Sequence, residues 1–412
     1  MQRTLSFLVL LALFLGLAAG AAIEAQGNAT LKQAAEGFGA VGALWLNALR
    51  MTVVPLVFAL LVTGIASVAD AASTGRLAAR FVILFSVLLV FAACYSLTFT
   101  SALLRWWPVD PNAASAILAG ARGGEAQAIV PPDFGAWLQA LAPSNPIAAA
   151  ANDQILPLTV FGTFFGFAIT RIASPLRDQL VSFFRAVGEA MIVVVHWVLL
   201  AGPIGVFSLA LGVGARAGLA AAGTLAHYIA IAVIVTLGIT IIAYILAILF
   251  GRVSIPRFTA AAAPVWAIAF STQSSLASLP AMLEASKQFG VSERVRDLIL
   301  PLAVAIFRFT SPVTNLVVVL FCAHIFHIEL GPQQYLAGIA VSYAASIAAV
   351  GLPGQVSFIT SIAPICLAMG VPLELLPVLL AVEVLPDIFR TLGNVTGDLA
   401  ITAMLSRDER KA

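Results

Sequence analysis

The sequence predicts an all-α membrane protein of eight transmembrane helices plus two re-entrant helical hairpins. Three observations predict it: a composition with too little polar surface for water, apolar runs of membrane length, and two such runs broken at their middles. Of 412 residues, 61% are hydrophobic and 10% are charged, and the mean hydropathy is +1.05. Soluble chains carry about a quarter charged residues, so a water-soluble fold is excluded. The formal net charge of +2 gives no basis for a nucleic-acid partner. Cys94, Cys322 and Cys366 lie far apart in apolar runs and read as buried hydrophobes, with neither metal-ligand nor disulfide spacing. The four histidines form no HExxH, and neither a GxSxG elbow nor a Gly-rich phosphate loop occurs, so nothing argues for an enzyme.

A membrane-spanning helix needs about 20 apolar residues. Runs of that kind fall at 4–22, 41–70, 81–104, 146–172, 184–214, 223–250, 297–328 and 373–405. Several exceed the perpendicular length, which implies tilt or kinking. The first run could serve as a cleaved signal peptide, with Ala18-Ala19-Gly20-Ala21-Ala22 at its end, but a retained span preserves the charge alternation described next. Two further stretches, 258–289 and 334–371, are interrupted by Ser271-Thr272-Gln273-Ser274-Ser275 and by Gly351-Leu352-Pro353-Gly354-Gln355. Lipid cannot satisfy the backbone groups that such interruptions free, so these stretches predict hairpins that face protein or a water-filled cavity.

Cations sit at alternate ends of the spans: Arg3; Arg76 and Arg80; Arg171, Arg177 and Arg185; Arg252 and Arg257; Lys287, Arg294 and Arg296; and Arg407, Arg410 and Lys411. The opposite ends, with Lys32, Arg122 and Arg216, are poorer in cations. This pattern places both termini in the cytoplasm. The hairpins then enter from opposite faces, an inverted-repeat arrangement with any ligand site near the midplane.

The last span carries Glu383, Asp387, Arg390, Asn394 and Asp398, spaced four, three, four and four residues apart, so all five share one helical stripe. Each charge at the bilayer centre costs about 2.5–3.5 kcal/mol on insertion scales. The stripe must therefore face protein, water or ligand. One reading is an internal salt-bridge network of Glu383, Asp387 and Arg390, which leaves negative charge over. The other is a site in which a carboxylate holds an ammonium and a guanidinium forks onto a carboxylate, the pair a zwitterionic acidic amino acid requires.

These residues carry a family resemblance. Asp-x-x-Arg-Thr-x-x-Asn-Val-Thr-Gly-Asp, standing at Asp387–Asp398, is similar to the last-helix motif of the amino-acid/dicarboxylate:cation symporters, the glutamate/aspartate transporter family. Five further segments match in order: Leu49–Phe58, Asn145–Pro157, Gly202–Phe207, Ser274-Ser275 with Leu279-Pro280, and Gly351–Gly354. The resemblance implies an elevator-type homotrimer in which 1–73 and 130–218 are scaffold and 74–129 holds the third span and an extracellular loop. It implies that 219–412 is the transport core, with both hairpins and the last helix. It further implies that Asp387 binds the substrate's amino group and Arg390 its side-chain carboxylate. Thr391 and Asn394 would add hydrogen bonds, and backbone around Ser274, Ser275 and Gly354 would hold the α-carboxylate. Asn394 and Asp398 would be sodium ligands.

The seventh span departs from the family. Where relatives carry Asn-Met-Asp-Gly-Thr, this chain has Phe307-Arg308-Phe309-Thr310-Ser311, and the third span offers Phe85, Leu88 and Leu89 in place of hydroxyl residues. Hard cations require oxygen ligands, so the sodium sites are degraded. Arg308 then either stands in for the lost cation near Asp398 or Glu383 or serves as a structural salt bridge, and the two roles are compatible. The expectation is a secondary transporter in the plasma or inner membrane for an acidic amino acid, sodium-independent or coupled to protons through Glu383 or Asp398. The alternatives are a C4-dicarboxylate symporter and a non-concentrating, ligand-binding or anion-leak relative.

Overall fold

The computed structural model describes residues 2–73, 76–111, 114, 142–152, 154–217, 220–348 and 354–409. Among them every regular element is helical: α1 (Gln2–Gln26), α2 (Ala29–Ser73), α3 (Arg76–Trp106), α4 (Pro146–Ala151), α5 (Ile155–Ile169), α6 (Ser174–Leu200), α7 (Gly202–Ala217) and α8 (Ala220–Leu249). Then follow α9 (Ile255–Thr272), α10 (Ser275–Gln288), α11 (Glu293–Ile306), α12 (Ser311–Ile325), α13 (Pro332–Ala348), α14 (Gly354–Met369), α15 (Leu376–Val382) and α16 (Val384–Glu409).

Among the described residues, four helices are long and apolar enough to cross a membrane, at Ala29–Ala69, Arg76–Trp106, Ser174–Leu200 and Ala222–Leu249. α3 shows the logic. Phe81, Phe85, Leu89, Ala92 and Ser96 recur at helical spacing and are buried. Ile83, Val87, Val90 and Phe91 on its other side are apolar yet exposed. A helix apolar all round, with one face bare, suits lipid on that face.

Four expected spans are divided rather than continuous, and the first of them, 146–172, breaks between α4 and α5, after Ala151 and before Ile155. The run 184–214 splits at Ala201, where Pro203 leaves the Leu199 carbonyl without its helical donor. The run 297–328 breaks at Phe307–Thr310, just before Pro312, so α11 and α12 are separate half-helices. The last run breaks at Glu383, three residues before Pro386, whose missing N–H frees the Val382 carbonyl. Sequence periodicity registers the apolar length of such runs and passes over a proline that a longer helix can absorb.

The helices form two sets. α1 lies along α7, and α2 packs on α5, α6 and α7. The α1–α7 contact is close because it is made through glycine: a Cβ on Gly20 would stand 2.4 Å from the Leu211 carbonyl, and one on Gly214 would stand 2.5 Å from that of Leu17. Gly16 and Gly20 are thus the small-xxx-small surface by which apolar helices associate. Trp45 on α2 donates its indole N–H to the Val198 carbonyl on α6 at 2.8 Å. In the second set α16 is central and packs against α8, α9, α10 and α11. α3 lies along α12, where Ser96 Oγ donates to the Val313 carbonyl at 2.9 Å. α13 and α14 pack together and onto α12, and both also touch α2 and α5.

The stretch expected as the first hairpin is two packed helices, α9 and α10. Gln273 lies between them in the left-handed region at φ 52°, and Ser274 caps α10 by accepting from the Ala277 N–H at 3.2 Å. In the second, α14 begins at Gly354. The Gly351–Pro353 tip lies outside the described residues, as do Arg122, Arg410, Lys411 and most of the expected extracellular loop.

Candidate functional site

Arg390 on α16 is the hub of a buried polar network. It is 2% exposed, a position a guanidinium holds only with its N–H groups engaged. Nη2 donates to Glu383 Oε1 at 2.6 Å, Nη1 to Asp387 Oδ1 at 3.4 Å, and Nε to Thr314 Oγ1 on α12 at 2.8 Å. Glu383 sits at the α15–α16 break, where its side chain turns toward Arg390. Its second oxygen accepts from the buried Tyr228 hydroxyl of α8 at 2.9 Å. The internal network of Glu383, Asp387 and Arg390 anticipated from their spacing is therefore present, and Asp398 is not part of it.

One turn further along α16, Asn394 joins the helix to the broken seventh span. Its Oδ1 accepts from the Thr310 backbone N–H at 3.0 Å. The Thr310 hydroxyl lies 2.8 Å from that same oxygen and 2.9 Å from the Arg390 carbonyl, so its single proton serves either. Thr391 bonds inward to the Asp387 carbonyl at 2.9 Å. Asp398 is fully buried, and neither of its oxygens has a hydrogen-bond partner among the described residues.

Beside Asp398 stands an aromatic wall. Phe81, Phe85, Phe307 and Phe309 are each at most 1% exposed. Phe85 meets Phe307 edge to face at 6.1 Å between centroids, and Phe307 stacks on Phe309 at 5.6 Å. Phe309 lies against Gly397, where a Cβ would come within 3.0 Å of its own Cβ. The third- and seventh-span positions that lack oxygen in the sequence thus converge in one dry cluster. A sodium ion fits this donor set poorly: the aromatic rings supply no oxygen, and Asn394 Oδ1 is already engaged by Thr310.

Arg308 interacts electrostatically with Asp387, Asp398 and Arg390. Of the two carboxylates weighed for Arg308, Asp398 lies within its field, while Glu383 is joined to Arg390. Ser274 and Ser275 are half-buried, and no hydrogen bond among the described residues joins them to Asp387, Arg390, Thr391 or Asn394. α10 still packs on the helix that carries the stripe, and Trp266 of α9 donates to Thr396 Oγ1 at 3.0 Å. Sequence reasoning missed Tyr228, Thr310 and Thr314. Each is a hydroxyl of a common kind, and only its partner on another helix marks it.

The family model of the sodium:dicarboxylate symporter family matches residues 5–408. This chain belongs to that family. A proton/glutamate-aspartate symporter of Escherichia coli is 26% identical over 99% of this chain and 93% of its own length. A human neutral amino acid transporter A is 28% identical, covering 90% of this chain and 76% of its own. A C4-dicarboxylate transport protein of Burkholderia cenocepacia is 27% identical, covering 89% and 85%. The family is one of integral membrane symporters and not of enzymes, which agrees with the chain's apolar helices and with the resemblance carried by Asp387–Asp398.

Proposed function

We propose that this symporter moves a small acidic substrate, aspartate or glutamate in the first instance, across the plasma or inner membrane without a sodium requirement. One observation carries the reading: a buried guanidinium, Arg390, lies one turn from a buried carboxylate, Asp387, beside a phenylalanine cluster where a cation would need oxygens. Arg390 takes the side-chain carboxylate by bidentate hydrogen bonding, Asp387 the ammonium, and Thr391 and Asn394 fix the substrate's orientation. The Ser274-Ser275 and Gly354 hairpin ends close over the α-carboxylate, aided by helix N-termini. Arg308 supplies the fixed positive charge near Asp398 that sodium would bring.

The two helix sets support a division into a scaffold (1–73 and 130–218) and a moving core (219–412 with the third span), working as an elevator in a homotrimer with both termini cytoplasmic and both hairpins re-entrant. Part of the contact between the sets is aliphatic, where Leu61 and Ile65 of α2 pack with Ala344 of α13. Such a surface offers few directional bonds to break on sliding.

A second reading is a C4-dicarboxylate substrate. It is favoured by the Asp387–Arg390 contact and by the field of Arg308 on Asp387, which give that carboxylate partners other than an ammonium. The test is radiolabelled aspartate uptake into proteoliposomes with sodium, with a proton gradient alone, and with neither, with succinate as competitor. Uptake indifferent to sodium is the expected result. Strict sodium dependence would overturn the sodium-free reading, stronger competition by succinate than by glutamate would move the substrate to the dicarboxylates, and equilibration without accumulation would indicate a non-concentrating relative.

A further inference from the structure

If Arg390 receives a substrate carboxylate, its guanidinium must be open, and in the structure it is closed. A carboxylate can chelate a guanidinium along two edges, Nε/Nη2 and Nη1/Nη2, and both run through Nη2. That nitrogen is held by Glu383 at 2.6 Å, the shortest bond of the network. Thr314 holds Nε and Asp387 faces Nη1. Glu383 is 3% exposed and Arg390 2%, so water has little access to either. Glu383 thus occupies the place the substrate's own carboxylate would take.

A carboxylate displaced from Arg390 in this setting is left in a poor state. Its remaining hydrogen bond is from Tyr228, a neutral donor that is itself fully buried. An ionised group stripped of its ion-pair partner in a buried site bears a desolvation penalty of several kcal/mol, and proton uptake removes it. The charged and titratable groups facing Glu383 are few: Arg390 and Asp387 from α16 and Tyr228 from α8. From α12, Thr314 and Phe321 reach Arg390 and Tyr228 and carry no charge, and His227 stacks on Trp107 and meets Phe321 edge to face. None of these supplies a second cation for the displaced carboxylate.

We propose that Glu383 is the resident occupant of Arg390 and that substrate loads by carboxylate exchange, with Glu383 taking up one proton as it leaves the guanidinium. This rests on Arg390 being the substrate's carboxylate receptor. The exchange balances: one proton from the aqueous phase adds to the Glu383 carboxylate, the substrate's carboxylate replaces it on Nη2, and no other bond is made or broken. On release of substrate, the proton leaves and Glu383 returns to Arg390. Coupling to protons then follows from competition for one guanidinium and needs no cation ligands, in keeping with the phenylalanine wall.

The experiment measures aspartate and succinate binding to purified full-length protein from pH 5 to 9, with a pH indicator reporting proton uptake. Wild-type protein should take up one proton per substrate in the alkaline range, with affinity falling about tenfold per pH unit there. Glu383→Gln keeps the shape and the Tyr228 contact but cannot ionise, so it should bind with no such slope and no proton uptake, and pH-driven accumulation in proteoliposomes should be lost. Zero proton uptake by the wild type on binding overturns the proposal. So does a Glu383→Gln variant that retains the wild-type proton ratio, and Glu383→Asp provides a titratable control should the glutamine variant fold poorly. If Arg390→Lys binds aspartate as tightly as the wild type, Arg390 is not the receptor. That result refutes the reading of the site, whatever the proton count.

Discussion

Removing the Tyr228 hydroxyl should strengthen substrate binding, an outcome opposite to that of most lesions near a site. Tyr228 is fully buried and donates to Glu383 Oε2 at 2.9 Å. A hydrogen bond to an ionised group contributes about 1.5–3 kcal/mol, and one between neutral groups about 0.5–1.5 kcal/mol. Tyr228→Phe therefore costs the ligand-free state, where Glu383 is a carboxylate on Arg390, about 1 kcal/mol more than the loaded state, where Glu383 is protonated. Since 1.4 kcal/mol is tenfold, the apparent dissociation constant for aspartate should fall about fivefold at neutral pH and change less at acid pH. Calorimetric titration of the detergent-solubilised variant at pH 7.5 and pH 5.5 measures both, with thermal unfolding as a check on folding. Equal or weaker affinity in a variant that unfolds within a few degrees of the wild type would refute the reasoning, because Tyr228 would then support the loaded state at least as strongly.

Four other outcomes follow from the same contacts. Thr314→Val leaves Arg390 Nε without its acceptor and should lower stability by about 1.5–3 kcal/mol, read as a drop in the unfolding temperature in detergent; an unchanged temperature would mean that Nε finds another partner. Phe309→Ala opens a cavity against Phe307 and Gly397 and should cost about 3–5 kcal/mol, whereas Phe14→Ala, at an exposed position, should cost well under 1 kcal/mol; equal effects would argue against a packed aromatic wall. Asp398→Asn removes the carboxylate whose charge faces the buried Arg308, so the unfolding temperature should fall by several degrees, and an unchanged temperature would show that Arg308 is supported by other groups. Gly20→Leu cannot fit against the Leu211 carbonyl and should loosen α1 from α7, seen as faster proteolysis within α1; wild-type resistance would contradict the packing.

The stripe on α16 was legible because charge in an apolar run is rare and its spacing of three and four residues is helical. The loss of oxygen at Phe307, Phe309 and Phe85 was legible only against the family resemblance, which implies oxygen-bearing residues at those positions. Their convergence was not, since Phe85 and Phe307 are more than 200 residues apart and only the packing of α3 near α11 and α12 unites them. Tyr228 and Thr314 escaped notice because hydroxyls are common in membrane helices and bond readily to their own backbone, as Thr236 does to the Ala232 carbonyl. The breaks at Ala201, Phe307–Thr310 and Glu383 escaped because proline is tolerated inside long helices, as Pro55 is within α2. Which proline bends a helix and which ends it depends on neighbours that can satisfy the freed carbonyl.

The broken seventh span explains how one sequence change can alter both charge and hydrogen bonding at the site. A break between half-helices exposes backbone groups in apolar surroundings, and these must be satisfied by ions, water or side chains. At Thr310 the exposed N–H is satisfied by Asn394 Oδ1. The same contact that seals the break therefore removes an oxygen from any cation site. Phe307 and Phe309 lie buried within the break, and Arg308 between them carries a fixed positive charge toward Asp387 and Asp398. A bound sodium would bring positive charge that comes and goes with the ion, and Arg308 brings charge that stays. With that charge permanent, the change in charge that couples substrate to a gradient must come from another group. Among the ionisable side chains whose contacts with Arg390 are described, Glu383 makes the closest, so its protonation is where the coupling is expected to reside.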